Sequence, residues 1–285
     1  MSVVQKTPIN ILQQAWKRIA PLELADNSWD NAPFPKNNAK KVLLTIDLTT
    51  DVCNEALDLE GCSVVVAYHP PVRPEFRSLS LKLSNTLQAS LLKLSAKGIS
   101  VFSPHTSLDS IEGGINSWLT TAFGTNLKSS TPLEPKFSSG SSVPAHLAGF
   151  EGAGMGRFVE LHEGVEAGEA VRRIKGLLKL ERVQYGAPAQ GSIIKTVAIC
   201  AGSGGSMFKD VKADLYWTGE MGHHQALATT QAGSHVVLCH HTNTERGYLS
   251  AVLKDKLREE LNAQEGQDGW EVVVSGKDKD PLLIV

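Results

Sequence analysis

Cysteine is scarce in this chain of 285 residues. Only Cys53, Cys62, Cys200 and Cys239 occur, none in a Cys-x-x-Cys spacing and each in or near an apolar run. That argues against a disulfide framework or a zinc knuckle and for buried thiols in a reducing compartment. Long apolar runs are missing as well. The longest are of strand length, short of the roughly 20 residues a membrane span requires, and Met1–Gln5 leads straight into a helical pattern, so neither a membrane segment nor a secretory leader is expected. There is no excess of charge of either sign. The 28 basic and 30 acidic side chains leave no field that would hold a polyanion, and nucleic acid is not indicated. Three catalytic signatures are absent too. Without Gly-x-Gly-x-x-Gly, Gly-Lys-Ser/Thr or Gly-x-Ser-x-Gly, a dinucleotide fold, a Walker loop and a serine triad are all disfavoured.

What the chain does have is a recurring arrangement of histidines behind strands. The apolar run Val236–Leu238 reads as a buried strand and leads through Cys239-His240-His241-Thr242-Asn243-Thr244-Glu245 into a helical pattern with Leu249, Val252, Leu253 and Leu257 on one side. His241 and Glu245 lie four residues apart where strand gives way to helix, so both can converge on one metal ion. Taken alone, Glu245 equally suits a helix start, where a carboxylate complements the dipole. Three other strands end in similar chemistry: Ser63–Ala67 in Tyr68-His69-Pro70-Pro71, Ile99–Phe102 in Ser103-Pro104-His105 with Asp109 beyond, and Ala213–Thr218 in Gly219-Glu220-Met221-Gly222-His223-His224. In open α/β sheets ligands bind beyond the carboxyl ends of the strands, so these residues are expected to meet in one cleft.

In chain order, Thr7-Pro8 opens a helix marked by Ile11, Leu12, Ala15, Trp16 and Ile19, and turn residues fill Asp26–Asn31. Val42–Leu48 is a strand with Asp47 near its end, Leu79–Lys97 a leucine-rich helix, and Ile115–Phe123 a further helix. The small, breaker-rich stretch 128–149 reads as a linker or mobile loop, which divides the chain into a first α/β half over 1–127 and a second over 150–285. The fold class is α/β: two similar halves, each a mixed sheet flanked by helices, with the metal cleft between them. Gly61–His69 aligns without a gap on Gly233–His241, each a glycine, a valine-rich strand and a terminal histidine.

His69, His105, Asp109, His241 and Glu245 make a nitrogen and oxygen donor set without a thiolate, which suits zinc, iron or manganese. Two bridging carboxylates allow two divalent ions, and such a pair would activate water for hydrolysis. His105, Glu220, His223, His224 and Glu245 are the acid/base or outer-ligand candidates, while Glu220, His223 and His224 also read as an ordinary helix start with exposed imidazoles. The backbone amides of Gly202, Ser203 and Gly204 can cradle a phosphate, or simply form a tight turn.

Five motifs together resemble one family, the NGG-one-interacting factor three proteins, also called type-two GTP cyclohydrolase I homologues. They are Tyr68-His69-Pro70-Pro71, Ser103–Asp109 with Gly113-Gly114 behind it, Ala201-Gly202-Ser203-Gly204, Asp214–His224 and Asn243–Gly247, and they span nearly the whole chain. Trp29-Asp30-Asn31 is similar to the family's early motif, from which Ala32-Pro33 departs. The resemblance implies two α/β halves around a dinuclear metal site, within a hexameric ring, and metal ligands at His69, Asp109, His241 and Glu245. Bacterial members often have His-His where this chain has Tyr68-His69, so Tyr68 stands where one ligand is expected. The extra domain of longer members is not accommodated.

The reading that follows is a metal-dependent hydrolase acting on a nucleotide or another phosphorylated small molecule, as the cyclohydrolase name suggests. The alternative is a non-catalytic metal-binding protein that contacts a transcription factor. Either protein is expected in the cytoplasm and also in the nucleus.

Overall fold

The computed structural model describes residues 7–25, 39–71, 83–138, 140, 142–264 and 266–282. The Asp26–Asn31 turn, the Trp29-Asp30-Asn31 motif and the start of the Leu79–Lys97 helix lie outside the described residues. Among the described residues no helix is long and apolar enough to cross a membrane.

In chain order the elements begin α1 (Pro8–Ile19), β1 (Lys41–Thr45), α2 (Thr50–Asp58), β2 (Cys62–Ala67), α3 (Thr86–Ala96) and β3 (Ser100–Phe102). There follow α4 (Thr106–Ser110), α5 (Ile115–Thr120), β4 (Leu127–Thr131), β5 (Glu134–Pro135), β6 (Gly154–Met155), β7 (Arg157–Glu166), α6 (Ala167–Leu178) and β8 (Gln184–Gly186). The chain continues through β9 (Ile193–Ser203), β10 (Leu215–Glu220), α7 (His223–Gln231), β11 (His235–Leu238), α8 (Asn243–Tyr248), α9 (Lys254–Asn262) and β12 (Glu271–Val274). A π-helical turn, Leu249–Leu253, joins α8 to α9.

Two compact units emerge, and neither is continuous in sequence. The first comprises Met1–Leu108 with Tyr248–Lys279, the second Asp109–Gly247 with Asp280–Val285. This differs from halves meeting at a linker over 128–149. β4, inside that stretch, pairs antiparallel with β7, and β12, at the far end of the chain, pairs parallel with β1 in the first unit. The reason is legible in β4 itself: Leu127-Lys128-Ser129-Ser130-Thr131 is an edge strand with no buried residue, so it carries none of the apolar pattern that marks a core strand.

The first unit is built on a sheet in the order β12-β1-β2-β3, all parallel rather than mixed. Parallel sheets are covered on both faces, so their strands read as unbroken apolar runs. β2, Cys-Ser-Val-Val-Val-Ala, is buried at every position. Alternate side chains serve the two faces. Leu43, Val65, Ala67 and Val101 pack with Val52, Cys53 and Ala56 of α2 and Leu94 of α3. On the opposite face Phe102 meets Trp16 of α1 edge-on, with ring centroids 5.2 Å apart. Thr49 and Asn85 cap α2 and α3 by accepting from the amides of Val52 and Gln88.

The second unit has a mixed sheet, β4-β7-β9-β10-β11-β8, whose inner strands β9, β10 and β11 are parallel. β9 runs on to Ser203, so the Ala201-Gly202-Ser203 segment is extended sheet rather than a tight turn. Ala198, Cys200, Phe208, Ala213 and Tyr216 form a core on this sheet.

All four cysteines are buried and free, as their apolar surroundings suggest. Burial pushes the Cys62 thiol up to about 11 and that of Cys239 up to about 12. The thiolate is the reactive form. A disulfide exchange reagent at pH 8 is therefore expected to titrate almost none of the four in the native protein and all of them in denaturant. Rapid reaction of any native thiol would contradict the packing around it.

Candidate metal centre

In the second unit the ends of β10 and β11 bring three of the expected residues together, His241, Glu245 and Glu220. β11 is followed by His240, held in the left-handed region at φ 66°, and His241. Non-glycine residues adopt such torsions only where surrounding structure imposes them, commonly near functional sites. One helical turn later comes Glu245, 1 % exposed, whose Oε1 lies 3.4 Å from Nε2 of His241. On the other edge of the imidazole, Nδ1 lies 3.1 Å from Oε2 of Glu220 at the end of β10. Asp109, on α4, is also buried. Its carboxylate and that of Glu245 are both near Cys200 on β9: burial pushes that thiol up, and the two negative charges push it further the same way.

This donor set suits a metal ion. A neutral imidazole has one N–H, and the carboxylate at Nδ1 takes it. In that tautomer the Nε2 lone pair faces a carboxylate oxygen, and a metal ion between them would satisfy both acceptors, as a second ring proton also would. The spacing agrees, because a nitrogen and an oxygen at the roughly 2.0–2.1 Å bond lengths of tetrahedral zinc sit about 3.4 Å apart.

Gly202 supplies the remaining wall. A β-carbon there would stand 2.8 Å from His241 Nε2 and 2.9 Å from Glu245 Oε1, and its φ of +66° is itself unfavourable to other residues. The expectation that Gly202, Ser203 and Gly204 present their amides to an anion does not fit the structure. The Gly202 amide donates to Thr244 Oγ1 at 2.8 Å and the Gly204 amide to Thr218 Oγ1 at 2.9 Å, while Ser203 is paired in the sheet. The glycine is required for close approach, not for anion binding. Gly202→Ala is expected to cost about 1–2 kcal/mol through handedness alone, and to weaken metal binding beyond that by displacing His241 or Glu245. Urea unfolding and a zinc titration of the variant measure the two effects separately, and an alanine variant equal to wild type in both would refute the close approach.

In the first unit, β2 ends in Tyr68 and His69 and β3 in His105, with φ 39° at His105. The three rings form a cluster with centroid separations of 4.9, 5.4 and 5.7 Å. Tyr68 is buried and the two histidines are half-buried. Nδ1 of His69 lies 2.9 Å from Oδ1 of Asp47, just past the end of β1.

His223 and His224 open α7 as exposed neighbours with ring centroids 5.3 Å apart, and α7 buries none of its residues. Gln225 accepts from the Gly222 amide in a capping arrangement. Sequence reasoning passed over several supports. Asn116 Nδ2 donates to the Asp109 carbonyl at 3.2 Å and its Oδ1 accepts from the Ala201 amide at 2.9 Å, tying α4 to β9. Thr244 Oγ1 donates to the His241 carbonyl at 2.7 Å. The available signal was a polar residue inside an apolar helical stretch, which pattern analysis treats as ordinary surface.

A family model described as Duf34/NIF3 (NGG1p interacting factor 3) matches residues 8–281. The chain is 45% identical over 271 residues to the protein NIF3 homolog of Schizosaccharomyces pombe, covering 91% of this chain and 92% of that protein. It is 38% identical over 302 residues to NGG1-interacting factor 3 of Saccharomyces cerevisiae, covering 99% and 98% respectively. Among solved structures, a Bacillus cereus protein related to NIF3 superposes with a TM-score of 0.82 at 17% identity over 98% of this chain and 99% of that one, a likeness of fold. Motifs, fold and relatives agree over almost the full length: the chain belongs to the Duf34/NIF3 family.

Proposed function

We propose that the chain binds divalent metal through His69, His241 and Glu245, joined by Asp109, and that it is a metal-dependent hydrolase of a nucleotide or another phosphorylated small molecule. The observation that carries this reading is the buried Glu245 carboxylate 3.4 Å from His241 Nε2, with the α-carbon of Gly202 close against them. A set of imidazoles and carboxylates without thiolate favours zinc, iron or manganese. A divalent ion held there would act as a Lewis acid and bring the pKa of coordinated water to about 7. Two ions are proposed, the second position depending on Tyr68, which stands where the resemblance to the bacterial pattern implies another imidazole. His241 and Glu245 bind and orient. His105 moves a proton, Glu220 holds the His241 ring, and the exposed His223 and His224 exchange protons with solvent.

The name of the Saccharomyces cerevisiae relative records an interaction with NGG1, and this favours a second reading in which the metal supports a surface that binds a transcriptional partner. One experiment separates the two. Metal content is measured by mass spectrometry, and a panel of nucleotides is screened for hydrolysis by wild type and Glu245→Gln. Turnover lost in the variant supports the hydrolase. Turnover that survives removes Glu245 from the reaction, and bound metal with no turnover on any member of the panel favours the interaction protein.

A further inference from the structure

A hydrogen bond in the first unit is repeated in the second. His69 follows β2 and its Nδ1 meets Asp47, which follows the neighbouring parallel strand β1, at 2.9 Å. His241 follows β11 and its Nδ1 meets Glu220, which ends the neighbouring parallel strand β10, at 3.1 Å. The sequence separations are 22 and 21 residues. A glycine with positive φ precedes both histidine strands, Gly61 at +78° and Gly233 at +96°. The ungapped match of Gly61–His69 with Gly233–His241 thus extends, in the folded chain, to a third residue one strand away that no spacing rule would have linked to it.

We infer that Asp47 and Glu220 are matched positioning residues, each fixing one tautomer and one orientation of the histidine beside it, so that both imidazoles offer Nε2 as the ligating atom. An ionised carboxylate only accepts, so Nδ1 carries the proton and Nε2 the lone pair. Stability does not account for the arrangement. The Asp47 side chain is 39% exposed and that of Glu220 56% exposed, and ion pairs so open to solvent contribute little to folding. A carboxylate on the far nitrogen of a metal-ligating histidine orients the ring and raises its basicity, work that an exposed carboxylate can do. The two carboxylates are not equivalent in chemistry to the ligands they serve. Asp47 and Glu220 each address the outer nitrogen, whereas Glu245 addresses the inner nitrogen of His241.

The inference rests on the proposed metal site, and its test uses two readouts. Nitrogen-15 correlation spectra of the metal-free full-length protein report the tautomer of each ring, and competition against a chromophoric chelator reports zinc affinity. In wild type, His69 and His241 are expected as the Nδ1-protonated form. Asp47→Ala and Glu220→Ala are each expected to mix the tautomers at their own histidine only and to weaken zinc about 10–100-fold. Asp47→Asn and Glu220→Gln keep an accepting carbonyl oxygen and are expected to restore the tautomer and most of the affinity. Alanine variants that keep both the wild-type tautomer and the wild-type affinity would overturn the inference, as would a wild-type ring with the proton on Nε2, a result that needs no variant to fold. Wild type that binds no zinc but shows both rings Nδ1-protonated would sink the metal site and leave the positioning intact.

Discussion

Arg157→Ala is expected to lose about 3–5 kcal/mol of stability, because it takes a buried donor away from the carbonyls it satisfies. Arg157 is 2 % exposed at the start of β7. Its Nε donates to Ser117 Oγ at 3.1 Å, one terminal nitrogen donates to the carbonyls of Gly154 and Gly156 at 2.7 and 2.8 Å, and the other donates to the Ile111 carbonyl at 3.1 Å. Burial pulls its pKa down, while the charges of Glu112 and Asp109 pull it back up. A guanidinium keeps its proton under such a balance. Truncation would leave three carbonyls facing a void, each costing about 1–3 kcal/mol when unsatisfied. Against a typical total of about 5–15 kcal/mol, that is a large share. Thermal melting is expected to fall by roughly 10 °C or more. Lysine at 157 keeps the charge but lacks the planar fork, so an intermediate loss is expected. The Ile111 carbonyl lies two residues beyond Asp109, so metal affinity should fall with stability. An alanine variant that melts with wild type would show that the carbonyls find other donors at no cost.

Glu245→Gln is expected to have the largest effect on metal, a loss beyond the roughly 10–100-fold typical of outer partners. Any turnover found in the nucleotide screen should fall at least as far as the metal occupancy does. The sign of the stability change distinguishes a ligand from a structural carboxylate. Without metal, a buried carboxylate is costly to keep, so replacing it by a neutral amide of the same shape should let the metal-free variant melt at or above wild type. With metal present the order should reverse, because only wild type gains stability from binding. A variant destabilised equally in both states would mark Glu245 as a structural residue.

Much of the local structure was legible from residue order. The valine-rich run of β2 has both faces buried, and a strand covered on both faces must be apolar throughout. The positions of His69, His105, Glu220 and His241 at strand ends followed from where those runs stop. The echo between Gly61–His69 and Gly233–His241 was visible too. The edge strand β4 and the return of β12 to the first unit were not, because an exposed edge has no apolar period and a pairing across more than two hundred residues leaves no local mark.

The amino-acid order alone therefore determined which side chains have metal-binding chemistry, where the core strands lie, and the family, because these depend on residue type and short-range periodicity. Tertiary structure decided which atom each side chain offers. It put Nδ1 of His69 and His241 against Asp47 and Glu220, turned the Gly202 and Gly204 amides to threonine hydroxyls, and brought the α-carbon of Gly202 up to His241 and Glu245. Those choices are made by packing between segments far apart in the chain, where a difference of one ångström separates a ligand from a clash.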